Sequence, residues 1–170
     1  MTYTKAQIIF HWLTAAVLLV MVLTGLAYTY DWVDAGTMQL HQISGQILIV
    51  LVIARVIARF WHPATPAAKP HHPLEAVMAK IVHVGLYICL IAYLVTGYIA
   101  ASGLRDPLLI AAVDQGFARS DTGEWFLEAH FTLKWILLAL FAIHIIAVLK
   151  HRFWDKDLPL SNMTLTPRKE

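Results

Sequence analysis

The stretch WFLEAHFTLKWILLALFAIHIIAVLKHRFW, residues 125–154, decides the fold of this chain. It contains an apolar run from Trp135 to Leu149 that only His144 interrupts, and His130 lies fourteen residues before that histidine. On an α-helix this spacing places the two imidazoles roughly 21 Å apart along the axis and on nearly the same side. A bilayer core is about 30 Å thick, so one histidine would lie near each membrane face. Such a helix carries either one ligand for each of two stacked metal centres or two buried, hydrogen-bonded histidines.

The composition of the chain is that of a membrane protein. Of its 170 residues, 59% are hydrophobic and 14% are charged, and its mean hydropathy is +0.63, which is too apolar for an ordinary soluble domain. We expect one membrane domain over residues 1–170, in contact with lipid and without a nucleic-acid partner. The first apolar segment is long enough to span the bilayer and lacks a following cleavage site, so we do not interpret it as a signal peptide. The single Cys89 excludes an internal disulfide and argues against c-type haem, iron–sulfur and cysteine zinc sites.

The hydropathy pattern predicts an all-α membrane protein, a bundle of four transmembrane helices. The predicted spans cover about residues 8–28, 40–61, 79–101 and 126–150. A histidine lies near the start of each span: His11, His41, His83 and His130. The loop before the fourth span is expected to hold a short surface helix over residues 108–113. Beyond the recurring histidine, we find no internal sequence repeat.

The distribution of basic residues predicts which way the bundle faces. If both termini and the proline-rich linker after the second span lie inside the cell, ten lysines and arginines are cytoplasmic and three are periplasmic. Because short cytoplasmic loops carry the excess of positive charge, we expect a multi-pass membrane protein with both termini in the cytoplasm. The cytoplasmic set is Lys5, Arg55, Arg59, Lys69, Lys80, Lys150, Arg152, Lys156, Arg168 and Lys169, and the periplasmic set is Arg105, Arg119 and Lys134.

Depth in the membrane then sorts the histidines into two levels. The first and third helices start inside and the second and fourth start outside, so His41 and His130 share the periplasmic level. His144 returns to the cytoplasmic level, where His11 and His83 also lie. Imidazole is a common axial ligand of haem iron, and a helix bundle supplies facing ligands from separate helices. The sequence therefore predicts two haems, one above the other.

The periplasmic level allows one pair of histidine ligands, whereas the cytoplasmic level allows more than one. Only two histidines are available on the periplasmic level, and Gly45, one turn past the first of them, would leave room for a flat macrocycle. On the cytoplasmic level, aligned depth on the fourth helix favours His144 as one ligand. Its partner is either His11, on the neighbouring first helix, or His83, on the third helix. His151 lies two turns after His144 and nearer the interface.

The sequence resembles the bacterial cytochrome b561 family over nearly its whole length. The resemblance is carried by IIFHWLTAAV (8–17), LHQISGQILIVLVIARVIARFWHPATP (40–66), HVGLYICLIAYLVTG (83–97) and EAHFTLKWILLALFAIHIIAVLKHRFWDKD (128–157). It implies a four-helix inner-membrane cytochrome with two b haems that exchanges electrons with ubiquinone. The implied axial ligands of the haem iron are His11 with His144 and His41 with His130. The resemblance further implies that His83 and His151 lie in or near a cytoplasmic quinone pocket.

One branch of this family oxidises superoxide at the periplasmic face and reduces ubiquinone, so superoxide is the leading electron donor. A positive outer surface would favour this anion, whereas the predicted outer loops carry seven acidic residues against three basic ones. Lys134, one turn past His130, is the candidate catalytic residue for superoxide. Its alternative role is that of a lysine snorkelling to the membrane interface.

The cytoplasmic level also holds candidates for the quinone site. A quinone takes up electrons and protons, so its pocket needs hydrogen-bond donors and titratable groups. The candidates are His83, His151 and Lys80. Arg55 and Arg59, four residues apart on the second helix, either pair with haem propionates, contact the quinone or snorkel to the interface.

Two other functions are compatible with this sequence. One is a cytochrome b subunit that passes electrons between the quinone pool and a periplasmic redox protein docked on the acidic outer loops. The other is a haem-free helical membrane carrier of protons or metal that uses the same histidines. A visible spectrum separates the haem-binding functions from the carrier.

Overall fold

A computed structural model of the chain describes residues 3–32, 35–63, 72–104, 110–156 and 163. Its helices are α1 (Lys5–Thr29), α2 (Ala35–Trp61), α3 (Pro73–Ser102), α4 (Gln115–Ala118) and α5 (Asp121–Leu149), and α5 continues into a π-helical segment, Lys150–Asp155. The described residues form no β-strand, and α1, α2, α3 and α5 are long and apolar enough to cross a membrane. The predicted all-α membrane fold is therefore confirmed. Each predicted span lies within one of these four helices, the last one together with the π-helical segment.

The start of α1 is fixed by a capping box and tied to the end of α2. The Thr4 hydroxyl oxygen accepts a hydrogen bond from the Gln7 backbone N–H at 3.2 Å, and Gln7 Oε1 accepts one from the Thr4 N–H at 2.9 Å. These reciprocal bonds satisfy N–H groups that lack partners inside the helix. The Gln7 side-chain amide also donates to the carbonyl oxygens of His62 at 2.6 Å and Ala58 at 3.3 Å. This bridge holds the ends of two antiparallel helices together.

The bundle consists of two antiparallel helix pairs. α1 packs mainly against α2 and α3 mainly against α5, while α2 and α3 contact each other less. Large apolar side chains also cover the outside, as expected for helices surrounded by lipid, and Leu23, Val50 and Ile146 are examples. The buried core is formed by Leu18, Met21, Leu48, Val52, Cys89, Leu90, Tyr93, Leu94 and Leu137.

The two helix pairs match at a few positions besides the histidines, which the sequence prediction did not name. Positions 72 apart match between α1 and α3, namely His11 with His83, Leu18 with Leu90, and Thr24-Gly25 with Thr96-Gly97. Positions 89 apart match between α2 and α5, namely His41 with His130 and Leu48 with Leu137. The four matched leucines are all 8% exposed or less. These matches are difficult to find in the sequence because few positions are identical. The connection between α3 and α5 is also longer than that between α1 and α2, by 89 − 72 = 17 residues.

The connection between α3 and α5 differs from the prediction. The expected helix over 108–113 is wrong for the residues that the structure describes, because 110–113 are not helical; the first two positions of that range lie outside the described residues. The short helix α4 begins later, since the Asp114 carboxylate accepts a hydrogen bond from the Phe117 N–H at 2.9 Å and caps its start. The segment before it is bonded to the bundle instead. The Ile110 N–H donates to Gln46 Oε1 of α2 at 3.0 Å.

Candidate functional site

Two histidines from different helix pairs meet inside the bundle. The ring centroids of His41 (α2) and His130 (α5) are 6.3 Å apart, and the ring planes lie at 80°. A metal ion held by two imidazoles lies about 2 Å from each nitrogen, which places the ring centroids roughly 6 Å apart. The structure thus brings together the pair predicted for the periplasmic level. We call it the two-histidine layer, and its spacing fits a single iron between the rings.

Both rings of the two-histidine layer are oriented by the neighbouring helix. His41 Nδ1 lies 3.0 Å from the carbonyl oxygen of Met21 on α1, and His130 Nδ1 lies 3.0 Å from that of Tyr93 on α3. A carbonyl oxygen can only accept, so each Nδ1 carries the ring proton and donates it. Each Nε2 is then left with its lone pair, as an axial ligand requires.

Each ring also rests on a glycine of the same neighbouring helix. A Cβ added at Gly25 would lie 3.1 Å from His41 Cε1, and one at Gly97 would lie 2.6 Å from His130 Cε1. Favourable carbon contacts are about 3.5–4.0 Å, so only glycine allows the rings to approach the helices this closely. The sequence prediction missed both glycines, although the repeated Thr-Gly dipeptide was an available signal. At Gly45 a Cβ would only reach a side-chain sulfur at 4.0 Å, and its role beside a macrocycle stays a prediction.

The other helix histidines gather at the opposite end of the bundle. The ring centroids of His83 (α3) and His144 (α5) are 5.2 Å apart, and His11 (α1) interacts electrostatically with both and with Arg55. We call His11, His83 and His144 the three-histidine layer. His83 Nδ1 bonds to the Ala79 carbonyl oxygen of its own helix at 2.6 Å, whereas His11 Nδ1 is buried without a hydrogen-bond partner among the described residues. The three competing candidates are therefore together, and the pairing within them stays a prediction.

The basic residues near the three-histidine layer have different surroundings. Arg55 is half-buried, and its guanidinium carbon lies 5.5 Å from the centroid of the Tyr87 ring on α3. Such a position allows a cation–π contact across the interface of α2 and α3. Arg59 and Lys80 are exposed. Of these three predicted site residues, Arg55 is the one that lies beside the histidines.

The π-helical segment after α5 carries a cluster of titratable groups. His151 Nδ1 lies 3.0 Å from Asp155 Oδ2, and Lys150 Nζ donates to the same oxygen at 2.7 Å. Lys150 Nζ also reaches Glu75 Oε1, in the first turn of α3, at 2.9 Å. Short π-helical segments are frequent at functional sites. The sequence prediction named His151 but missed Asp155, which its spacing of four residues could have suggested, and Glu75, which only the tertiary fold brings close.

Lys134 lies inside the bundle near the two-histidine layer. The residue is 9% exposed, and its Nζ donates to the Thr29 hydroxyl of α1 at 2.8 Å. Its ammonium nitrogen is also 5.0 Å from the centroid of the Trp135 ring. A narrow cavity beside Lys134 is lined by apolar side chains of α1 and α5 and by Gly25 and Tyr93, the residues that contact the two rings. The side chain therefore reaches the last residue of α1, and its role, catalytic or snorkelling, stays a prediction.

Comparisons with known proteins agree with this arrangement. The sequence profile of the family described as prokaryotic cytochrome b561 matches residues 2–165. A relative from Escherichia coli (strain K12), cytochrome b561 homolog 2, is 28% identical over 163 residues, which cover 91% of this chain and 86% of the relative. The similarity thus includes all four long helices and both histidine layers.

Proposed function

This chain belongs to the prokaryotic cytochrome b561 family, a family of membrane electron-transfer proteins with b-type haem, and we propose that it moves electrons from superoxide to ubiquinone. In this proposal one haem b lies at each histidine layer, as two non-covalent haems per chain. The observation that carries the proposal is the 6.3 Å spacing of the rings in the two-histidine layer, with a second cluster of histidines at the other end of the same helices.

We assign His41 and His130 to one haem and His11 and His144 to the other. The first pair is supported by its spacing and by the carbonyl groups that leave each Nε2 free. For the second pair, His11 is favoured over His83 because His11 is half-buried, whereas His83 is exposed. When bound, haem supplies reversible one-electron oxidation and reduction. The helices would hold it between the paired histidines.

We propose that the two-histidine layer faces the periplasm and that both termini lie in the cytoplasm of a bacterium, with the protein in the inner membrane. Ten of the thirteen lysines and arginines then lie on the cytoplasmic side, as the positive-inside rule requires. The acidic first turn of α5, with Asp121 and Glu124, is periplasmic in this orientation.

Lys134 is the residue we assign to superoxide. Its ammonium group lies beside the cavity whose walls include Gly25 and Tyr93, next to the two rings. A positive charge inside the bundle attracts an anion more strongly than a positive charge in water does, because less water screens it. Superoxide gives up one electron and leaves as O₂, so no proton is needed at this end.

At the cytoplasmic end, two electrons from two superoxide ions and two protons convert one ubiquinone to ubiquinol. We propose His83, His151 and Lys80 as quinone contacts, with Arg55 and Arg59 available to haem propionates or to the quinone. The 3.0 Å contact between His151 Nδ1 and Asp155 Oδ2 supports this role, since an imidazole paired with a carboxylate can pass a proton from the cytoplasm.

The competing function with direct support is electron exchange with a basic periplasmic redox protein. Four carboxylates near the start of α5 are exposed and would suit such a partner: Asp114, Asp121, Glu124 and Glu128. A haem-free carrier of protons or metal, which would use the same histidines, is the third candidate.

Stopped-flow mixing of the purified haem protein with superoxide tests the proposal. We expect haem reduction faster than spontaneous dismutation and reoxidation by added ubiquinone. Lys134→Met should slow the superoxide step about tenfold, and Lys134→Arg should retain most of it. Arg119→Gln, which removes one charge from an exposed residue after α4, is the control and should keep the wild-type rate. If superoxide does not reduce the wild type faster than it dismutates, the donor is wrong, and crosslinking to the acidic residues should identify a protein partner.

A further inference from the structure

Two threonines occupy equivalent positions beside the rings of the two-histidine layer. Thr24 Oγ1 lies 3.2 Å from His41 Nδ1, and Thr96 Oγ1 lies 3.4 Å from His130 Nδ1. Both threonines are buried, at 8% and 6% exposure. Each directly precedes the glycine on which the same ring rests. The Thr-Gly dipeptide is therefore a repeated cradle for one imidazole.

The hydroxyl proton of each threonine is already used within its own helix. Thr24 Oγ1 lies 2.9 Å from the Val20 carbonyl oxygen and 3.0 Å from that of Met21. Thr96 makes the same two bonds, at 2.9 and 3.0 Å, to the carbonyls four and three residues before it. A hydroxyl has one proton and two lone pairs, so each threonine faces the imidazole with a lone pair. The N–H of each Nδ1 thus meets two acceptors, a carbonyl and a hydroxyl oxygen.

We propose that Thr24 and Thr96 are positioning residues that fix the tautomer and angle of the two axial ligands and lower the reduction potential of the haem between them. The inference rests on the proposed function, which places a haem at this layer. Acceptors at Nδ1 raise the basicity of a ligating imidazole. A more basic ligand stabilises ferric over ferrous iron, so the potential falls.

The cradle is specific to one end of the molecule. In the three-histidine layer, His83 Nδ1 bonds within its own helix and His11 Nδ1 is unpartnered among the described residues. Changes at Thr24 or Thr96 should therefore move the potential of one haem and leave the other unchanged. Thr14 offers a matched control, because it is a buried threonine of α1 whose hydroxyl donates to the Phe10 carbonyl of its own helix at 2.6 Å.

The experiment is a spectroelectrochemical titration of the purified haem protein. Thr24→Val and Thr96→Val should each raise the midpoint potential of the periplasmic haem, by the equivalent of an about three- to tenfold change in the ratio of oxidised to reduced haem, roughly 30–60 mV. The double variant should shift it further, and Thr24→Ser and Thr96→Ser should restore the wild-type value. Thr14→Val should leave both potentials unchanged.

Electron paramagnetic resonance of the ferric protein is the second readout. Ring planes at 80° should give the highly anisotropic low-spin signal of near-perpendicular axial imidazoles, and the valine variants should shift it. The inference is overturned if the valine variants match Thr14→Val in both readouts, or if both haems shift equally. If the valine variants lose the haem, the serine variants decide the outcome. Serine variants with wild-type potentials support the inference, and serine variants that also lose the haem refute it. Failure of the proposed haem site has a different result, since the wild type would lack this haem, and failure of superoxide as the donor would leave both potentials as they are.

Discussion

The two histidine layers use the same bundle in different ways. In the two-histidine layer, matched residues do the same task on both sides: His41 and His130 each bond to a carbonyl of the neighbouring helix and rest on its glycine. In the three-histidine layer, only one of the two related pairs matches: His11 corresponds to His83, but the positions on α2 and α5 hold different residues. Arg55 lies 89 positions before His144, so an arginine on α2 stands where α5 has a histidine.

This difference indicates a division of labour between the layers. Paired carbonyls and glycines fix two rings in one tautomer before any ligand arrives, which suits a site that only exchanges electrons. A layer with three histidines, an arginine and the nearby pair of His151 and Asp155 holds more titratable groups than two axial positions use. Such an excess suits a site where electrons and protons meet.

Substituting one histidine at a time would test the difference between the two layers most directly. We expect His130→Ala to lose the haem of the two-histidine layer alone and His144→Ala to lose the other, because α5 contributes to both. A pyridine haemochrome assay should then give about half of the wild-type haem per chain. His83→Ala should retain both haems. Loss of a haem in the His83 variant would make α3 a ligand donor and reverse the assignment of His11.

Substituting glycines would sharpen the comparison, because the ring contacts predict a graded response. Gly97→Ala should destabilise the protein most, by about 1–3 kcal/mol, since its Cβ would lie 2.6 Å from His130 Cε1. Gly25→Ala should cost less, at a distance of 3.1 Å. Gly85→Ala, whose Cβ would meet only the Leu140 side chain at 3.5 Å, is the control and should be neutral or stabilising by up to about 1 kcal/mol. Unfolding in detergent measures the series, and equal stability of the three variants would contradict the ring contacts.

Substitutions in the π-helical segment should have the smallest effect, and only on ubiquinone reduction at the cytoplasmic end. His151→Ala and Asp155→Asn should slow reduction of ubiquinone about tenfold by removing a proton relay, while haem content and the superoxide step stay as in the wild type. Arg152→Gln, an exposed neighbour, serves as the control. Rapid-mixing kinetics separate the two steps. Unchanged quinone reduction in both variants would remove His151 from the quinone site.

The fold and the two levels of histidines were predictable because membrane helices have a simple hydrophobic signal and a fixed rise per residue. The spacing of His130 and His144 alone defined both levels. The Thr-Gly cradles were not predicted, since a contact such as that of Gly97 with His130 depends on how close two helices pack. The burial of Lys134 against Thr29 also depends on packing, because a lysine near a helix end can equally extend to the interface.

The matched positions of the two helix pairs have a consequence for the symmetry of the two-histidine layer. In an assembly of two separate, identical hairpins, every residue would appear on both halves, so a cation beside the rings would face an identical cation. One continuous chain removes that restriction. Lys134 lies 89 positions after Gly45, and the lysine of one half therefore corresponds to a bare backbone position in the other. A single chain thus places a cation on one side of a nearly symmetric layer, which no dimer of one hairpin sequence can do.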